Sequence, residues 1–187
     1  GKTLAYGLPI LNSLATNPPC PSQLTGLILV PTRELGMQVA RHLKQAAHFL
    51  EKAKIVSIIG GMSMEKQSRQ LFQSPDIVIA TPGRLWELMN SSQVPTFMES
   101  LKKLKFFVID EADRMIEAGH FRELESILAA LYYNFSQAQE DGAMVKRHIS
   151  FQTFVFSATL SLCRKSKRGD IENPIDSLLE KISFRGD

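Results

Sequence analysis

Phe106-Phe107-Val108-Ile109-Asp110-Glu111-Ala112-Asp113 is the stretch that decides the fold: an apolar run of strand-forming residues ends abruptly in three carboxylates within four positions. A run such as Phe107-Val108-Ile109 has the make-up of a strand buried on both faces, as in a parallel sheet. In such sheets ligands bind beyond the C-terminal ends of the strands, where Asp110 and Glu111 would stand. Two adjacent acids there suit a cation and a water. In nucleotide hydrolases an Asp after a hydrophobic strand holds Mg²⁺, and a neighbouring acid can position the attacking water. A plainer reading is an acidic helix N-terminus, with Asp110 as cap and Glu111 and Asp113 complementing the helix dipole. The stretch alone does not separate the two.

Two distant segments bear on that choice. Gly1-Lys2-Thr3 matches the end of a G-x-x-x-x-G-K-[ST] phosphate loop, in which the Lys reaches the β/γ-phosphates and the hydroxyl ligates Mg²⁺. It leads into Leu4, Ala5, Leu8, Ile10, Leu11 and Leu14, a spacing that predicts a helix. Ser157-Ala158-Thr159 follows a second buried-type run, Phe154-Val155-Phe156. Phosphate-binding, acidic and hydroxyl groups would then face one site.

Between these segments the chain alternates strand and helix. Leu27-Ile28-Leu29-Val30 reads as a strand, and Pro31-Thr32-Arg33 leads into a helix with Leu35, Val39, Leu43, Ala46 and Leu50 on its apolar face. Ile55-Val56-Ser57-Ile58-Ile59 precedes Gly60-Gly61 and a polar helix. Asp76-Ile77-Val78-Ile79-Ala80 precedes Thr81-Pro82-Gly83-Arg84 and a helix around Leu85, Trp86, Leu88 and Met89. A further helix carries Phe121, Leu124, Leu128, Leu131 and Phe135, residues 137–148 read as a loop, and residues 151–156 as the last strand. This alternation predicts an α/β domain with a parallel sheet and helices on both faces. The Pro-rich segment around Pro18, Pro19 and Pro21 breaks the first helix, and residues 161–187 read as a basic linker or insertion behind a domain spanning 1–160.

The 187 residues are 44% hydrophobic, enough for one domain with a core, and 22 Lys and Arg against 19 Asp and Glu leave a net charge of +3. That excess is compatible with nucleic acid without requiring it. Cys20 and Cys163 form no metal spacing and read as free thiols of a reducing, intracellular compartment. No apolar run approaches the length of a membrane span, so no membrane partner is expected. His42, His48, His120 and His148 lack metal-ligand spacing and are given no chemistry.

The ordered set Gly1-Lys2-Thr3, Pro31-Thr32-Arg33-Glu34-Leu35, Gly60-Gly61, Thr81-Pro82-Gly83-Arg84, Asp110-Glu111-Ala112-Asp113 and Ser157-Ala158-Thr159 resembles the first RecA-like domain of a DEAD-box ATP-dependent RNA helicase. The resemblance implies a RecA-like P-loop NTPase domain, N-terminally truncated here, with ATP and Mg²⁺ as cofactors. It implies ATP binding by Gly1, Lys2 and Thr3, Mg²⁺ held by Thr3 and, partly through water, by Asp110, and a water oriented by Glu111. Pro31, Thr32, Arg33, Gly61, Thr81, Gly83 and Arg84 would meet the RNA backbone, which carries no base information, so binding would be independent of sequence. Asp113, Ser157 and Thr159 would couple the nucleotide to a second RecA-like domain of the parent chain. Taken singly, the glycines also fit ordinary turns, the hydroxyls fit caps, and Trp86 fits helix packing. The basic residues 164–168 fit a solvated linker as well as an RNA contact or import signal.

Residues 60–67 and the interrupted tail resemble the branch containing vertebrate DEAD-box helicase twenty-four, associated with ribosome assembly, which implies a nuclear, nucleolar setting. Two other function classes remain: a P-loop motor acting on DNA or protein, and a non-catalytic fragment that binds RNA or partners without turnover. Because the chain opens at the last glycine of the loop, the 187 residues alone are expected to be inert as an ATPase, with a strand edge exposed inside the sheet.

Overall fold

Runs of aliphatic, β-branched and aromatic residues form five parallel strands, β1 (Gly26–Leu29), β2 (Ile55–Ile58), β3 (Ile77–Ala80), β4 (Phe106–Ile109) and β5 (Gln152–Val155), in the order β2-β3-β1-β4-β5. The computed structural model describes residues 1–17, 23–50, 52–137 and 151–158, with side chains of 132–137 excepted. Register does most to place the site. Leu29 pairs with both Ala80 and Ile109, Ile58 with Ala80, and Ile109 with Val155. All five strands therefore end level, and the segments after Val30, Ile59, Ala80, Ile109 and Val155 open on one edge.

Strands β1, β3 and β4 are buried on both faces, and alternate residues feed two cores. Leu27, Leu29, Val78, Ala80, Phe107 and Ile109 point into one core. That core is closed by α3 (Met64–Phe72), α4 (Pro82–Met89), α5 (Pro95–Leu101), α6 (Ala112–Glu117) and α7 (Phe121–Gln137), through residues such as Leu71, Leu85, Phe97, Met115 and Leu124. Ile28, Val30, Ile77, Ile79 and Val108 point into the other, closed by α1 (Lys2–Thr16) and α2 (Arg33–Ala46) through Tyr6, Ile10, Val39 and Leu43. Trp86 packs against the first core, as its place beside Leu85 suggests. Among the described residues no helix is long and apolar enough to cross a membrane.

Three details depart from the sequence pattern. The buried stripe of α2 is Gly36, Val39, Ala40 and Leu43; Ala46 is exposed, Leu35 is only partly buried, and Leu50 lies beyond the helix end. Gly36 lies on that stripe because backbone is close there: a Cβ on it would stand 3.1 Å from Ile59 Cγ2. The short helix α5 has no counterpart in the expected elements. Its seven residues make barely two turns, too few for a clear periodic pattern, and its signal is the proline at the first turn. Among the described residues the sheet runs unbroken through five strands, with β2 and β5 at its edges. β5 is only half-buried. The expected loop at 137–148, the Pro-rich break, both cysteines and the tail 161–187 lie, apart from Gln137, outside the described residues.

Helices α1 and α2 approach closely at Gly7, where a Cβ would lie 2.6 Å from Cδ2 of the buried Leu43. A single methyl can be accommodated by a turn of Leu43, but a branched side chain forces the helices apart. Gly7→Val is expected to destabilise the fold by about 1–3 kcal/mol, the range for overpacking a tight core, read as a lowered urea midpoint. A midpoint equal to wild type would show that the crossing is slack.

Candidate active site

β4 extends its ladder one step past its last residue, because the Asp110 N–H donates to the Leu29 carbonyl at 2.9 Å. Glu111 then adopts φ 54°, ψ 54°, a left-handed conformation that costs a residue with a Cβ about 1–2 kcal/mol. The kink starts α6 at once, with the Ala112 N–H donating to the Phe156 carbonyl at 2.9 Å. Successive acids thereby meet different partners. The Asp110 carboxylate accepts from the Tyr6 hydroxyl at 2.9 Å. Glu111 meets Lys2 at 3.5 Å and Arg114 at 3.0 Å. Asp113 accepts the Ala158 N–H and the Arg114 N–H, each at 3.0 Å. The helix-cap alternative for Asp110 is thus not what forms: Glu111 occupies the cap position, and its side chain makes no capping bond.

Lys2, Thr3, Asp110, Glu111 and Arg114 line one cleft of about 850 Å³, with Gly1 at its rim and Thr32, Glu34 and His42 of α2's side on its far wall. Asp110 is 3% exposed, and its Oδ1 is buried with no hydrogen-bond partner among the described residues. Burial raises its pKa above the ordinary carboxylate range, outweighing the Tyr6 hydrogen bond and the charge of Lys2. Burial, followed by the Asp110 charge, likewise pushes the Tyr6 phenol well above its usual range. A buried carboxylate with one idle oxygen is costly by itself and suits a cation. Among the described residues no three His, Cys, Asp or Glu side chains converge. The donor set fits Mg²⁺, which takes one or two protein oxygens and completes its shell with phosphate and water, as Thr3 and Asp110 would allow.

A second groove of about 490 Å³ lies at the same sheet edge, lined by Pro31, Thr32, Arg33, Gly60, Thr81, Gly83 and Arg84, with Glu34, Glu87 and His120 beside them. Thr32 caps α2, its Oγ1 accepting the Leu35 N–H at 3.2 Å. Gly61 has φ 82°, and the Arg33 guanidinium occupies the space a Cβ would take. The two arginines differ. Arg33 is exposed and overlies the Gly60-Gly61 turn. Arg84 is largely buried, donates to the Met62 carbonyl at 2.8 Å and pairs with Glu87 at 3.0 Å, so it holds the turn in place. Sequence reasoning misses this tie, the Tyr6–Asp110 bond and the Arg114–Glu111 pair. The last has a visible signal in its i,i+3 spacing. Of the hydroxyl segment, Ser157 is half-buried, Ala158 supplies the N–H bound to Asp113, and Thr159 lies outside the described residues.

A family model described as DEAD/DEAH box helicase matches residues 1–166. The chain belongs to this family. Among its relatives, DEAD-box ATP-dependent RNA helicase 13 of Arabidopsis thaliana is 42% identical over 99% of this chain and 27% of its own length. ATP-dependent RNA helicase DDX24 of Homo sapiens is 43% identical over 87% of this chain and 18% of its own length. The chain therefore spans about a quarter or less of these relatives. Among solved structures, the yeast DEAD-box splicing factor Prp28 is 32% identical with a TM-score of 0.72, covering 87% of this chain and 35% of that one. The DEAD-box helicase Mss116 bound to ssRNA and UDP-BeF is 30% identical with a TM-score of 0.69, covering 86% of this chain and 30% of that one. The RecA-like α/β fold expected from the motifs is the fold of these helicase domains.

The Asp110 environment has a pH consequence. Its folded pKa lies above the unfolded value of about 3.9, so its favourable contribution is complete below that value and lost as pH rises through the folded pKa. Without Mg²⁺, Asp110→Asn removes the charge but keeps an acceptor for Tyr6. It should raise the melting temperature at pH 7.5 by about 2–4 °C, the shift expected for roughly 1 kcal/mol in a domain of this size. At pH 3.5 the gain should vanish. Equal melting curves at pH 7.5 would mean that the buried charge carries no penalty.

Proposed function

We propose that this chain is the ATP-binding domain, and half of the RNA-binding surface, of an ATP-dependent RNA helicase that couples ATP hydrolysis to local unwinding of RNA or remodelling of its complexes. The observation that carries the reading is the convergence of Lys2 and Thr3 with Asp110 and Glu111, more than a hundred residues away, in one cleft. Lys2 is 54% exposed, and its pair with Glu111 is worth about 0–1 kcal/mol, so a nucleotide phosphate can take Lys2 at little cost. Release of Lys2 frees one oxygen of Glu111, while Arg114 retains the other. Glu111 can then accept a hydrogen bond from the attacking water and orient it. Mg²⁺, when bound with ATP, would supply positive charge against the charge that develops on the phosphates. Thr3 and Asp110 would hold it from the protein side, Asp110 partly through water, and Gly1 would contribute to the phosphate loop.

The neighbouring groove is assigned to the RNA backbone. Exposed Arg33 suits a phosphate, the hydroxyls of Thr32 and Thr81 and the small residues Gly61 and Gly83 let backbone approach closely, and Pro31 and Arg84 shape the walls. The ssRNA in the Mss116 complex supports this, since that protein shares the fold at 30% identity. Contacts of this kind do not read sequence, and contact with the 2′-OH favours RNA over DNA. Thr32 and Glu34 line both clefts, which makes the start of α2 a shared wall. Asp113, with Ser157 and Thr159, is assigned to coupling toward a second RecA-like domain, and the likeness to DDX24 supports a nuclear, nucleolar setting. The deciding experiment is ATPase activity of the full-length protein with RNA or DNA added. Stimulation by DNA alone, or by neither, sinks the assignment.

In that protein Glu111→Gln should abolish turnover and leave ATP binding nearly intact, since the side chain keeps its shape and loses the charge that polarises the water. Turnover close to wild type would remove Glu111 from the water-positioning role. Arg33→Glu should weaken binding of unrelated single-stranded RNAs by one common factor and flatten the log–log salt dependence by about 0.7 for each phosphate that is no longer neutralised. Weakening confined to one RNA sequence would point to base readout instead.

A further inference from the structure

The apolar face of α1 calls for a core residue at position 6, and the Tyr6 ring fills that role: it is fully buried and packs at 5.4 Å from Phe156. A phenylalanine would do as much. The hydroxyl is the unexplained part, because burying it needs partners of its own. It has one: it donates to Asp110 Oδ2 at 2.9 Å. A phenol carries one proton, and that proton goes to Asp110.

The direction of this bond matters. With Oδ2 occupied, Asp110 keeps Oδ1 as a free acceptor, a buried atom with no hydrogen-bond partner among the described residues. A carboxylate oxygen with its lone pairs free is what a hard cation requires of a protein neighbour. We propose that Tyr6 is a positioning residue that holds Asp110 by Oδ2 and sets Oδ1 for Mg²⁺, an inference that rests on the nucleotide reading of the cleft. Tyr6 acts only through Asp110.

The test uses the full-length protein and a fluorescent non-hydrolysable ATP analogue, titrated with Mg²⁺ and separately in EDTA. Tyr6→Phe should raise the Mg²⁺ midpoint about three- to ten-fold, the scale of one ordinary hydrogen bond, and leave affinity in EDTA unchanged. In an Asp110→Asn background, Tyr6→Phe should move the midpoint no further, because the two residues act as a unit. An unmoved or lowered midpoint, or equal weakening with and without Mg²⁺, overturns the inference and leaves Tyr6 a packing residue. Wild-type protein that binds the analogue in neither condition overturns the nucleotide reading and this inference with it. Should Tyr6→Phe not fold, 3-fluorotyrosine at position 6 serves in its place. Its ¹⁹F resonance should shift when Mg²⁺ joins the nucleotide complex, and a resonance that stays put counts against the proposal.

Discussion

A carboxylate held out of water at the end of the interior strand β4, with one oxygen unanswered, is the constraint on which the rest of the domain depends. Asp110 is nearly inaccessible, and burial raises its pKa despite a phenol donor and a nearby lysine. Each neighbour limits what that position costs. Pairing with β1 fixes the backbone through the Asp110 N–H, and α1 brings Tyr6 to Oδ2. An apolar residue at 110 would fold more comfortably, so the charge has to be explained by what it can hold. That is the usual relation between a strained site and a fold that is otherwise consistent with its sequence.

The level ends of the strands turn this local constraint into a shared surface. Because Leu29, Ala80 and Ile109 are in register, the segments after β1, β3 and β4 emerge side by side, and two clefts form where one longer strand would have separated them. The start of α2 belongs to both. Thr32 caps that helix, so its backbone and side chain are fixed by the same bond that fixes the wall. A displacement of Thr32 or Glu34 in one cleft is necessarily felt in the other. On the far side of β4, Asp113 takes the Ala158 N–H after β5. Glu111's left-handed backbone is what allows one short segment to face both ways.

Much of this is legible in the residues. Strands buried on both faces leave uninterrupted apolar runs, so the sheet follows from sequence alone. The polar segments after the strands carry the family's motifs; Lys2, Thr3, Asp110 and Glu111 line one cleft, whereas Gly60 and not Gly61 lines the other. What stays hidden has specific causes. Glu has no preference for left-handed backbone, so nothing at position 111 announces the kink. Arg84 reads as a free cation, yet its bond to the Met62 carbonyl is a tertiary contact between segments about twenty residues apart. Tyr6 looks like any large residue on an apolar face, and only the fold shows where its hydroxyl ends. The stripe of α2 reads one step out of phase because Gly36 and Ala40, which allow the closest approach, count for little in a hydrophobic pattern.

The two acids at the end of β4 also divide the work by exposure. Asp110 is enclosed, so its partner is fixed and any change in its charge is felt through the low-dielectric core. Glu111 faces the cleft, and its cationic partners Lys2 and Arg114 are 54% and 68% exposed, so water screens both pairs and each can be exchanged at small cost. A site that bound a cation tightly and then rearranged around phosphate would need both kinds of group. Reversing the arrangement, with Glu111 buried and Asp110 exposed, would fix the acid that now exchanges partners and loosen the one that is now held. The left-handed turn at Glu111 keeps these environments apart over a single peptide bond, which is why its strain persists.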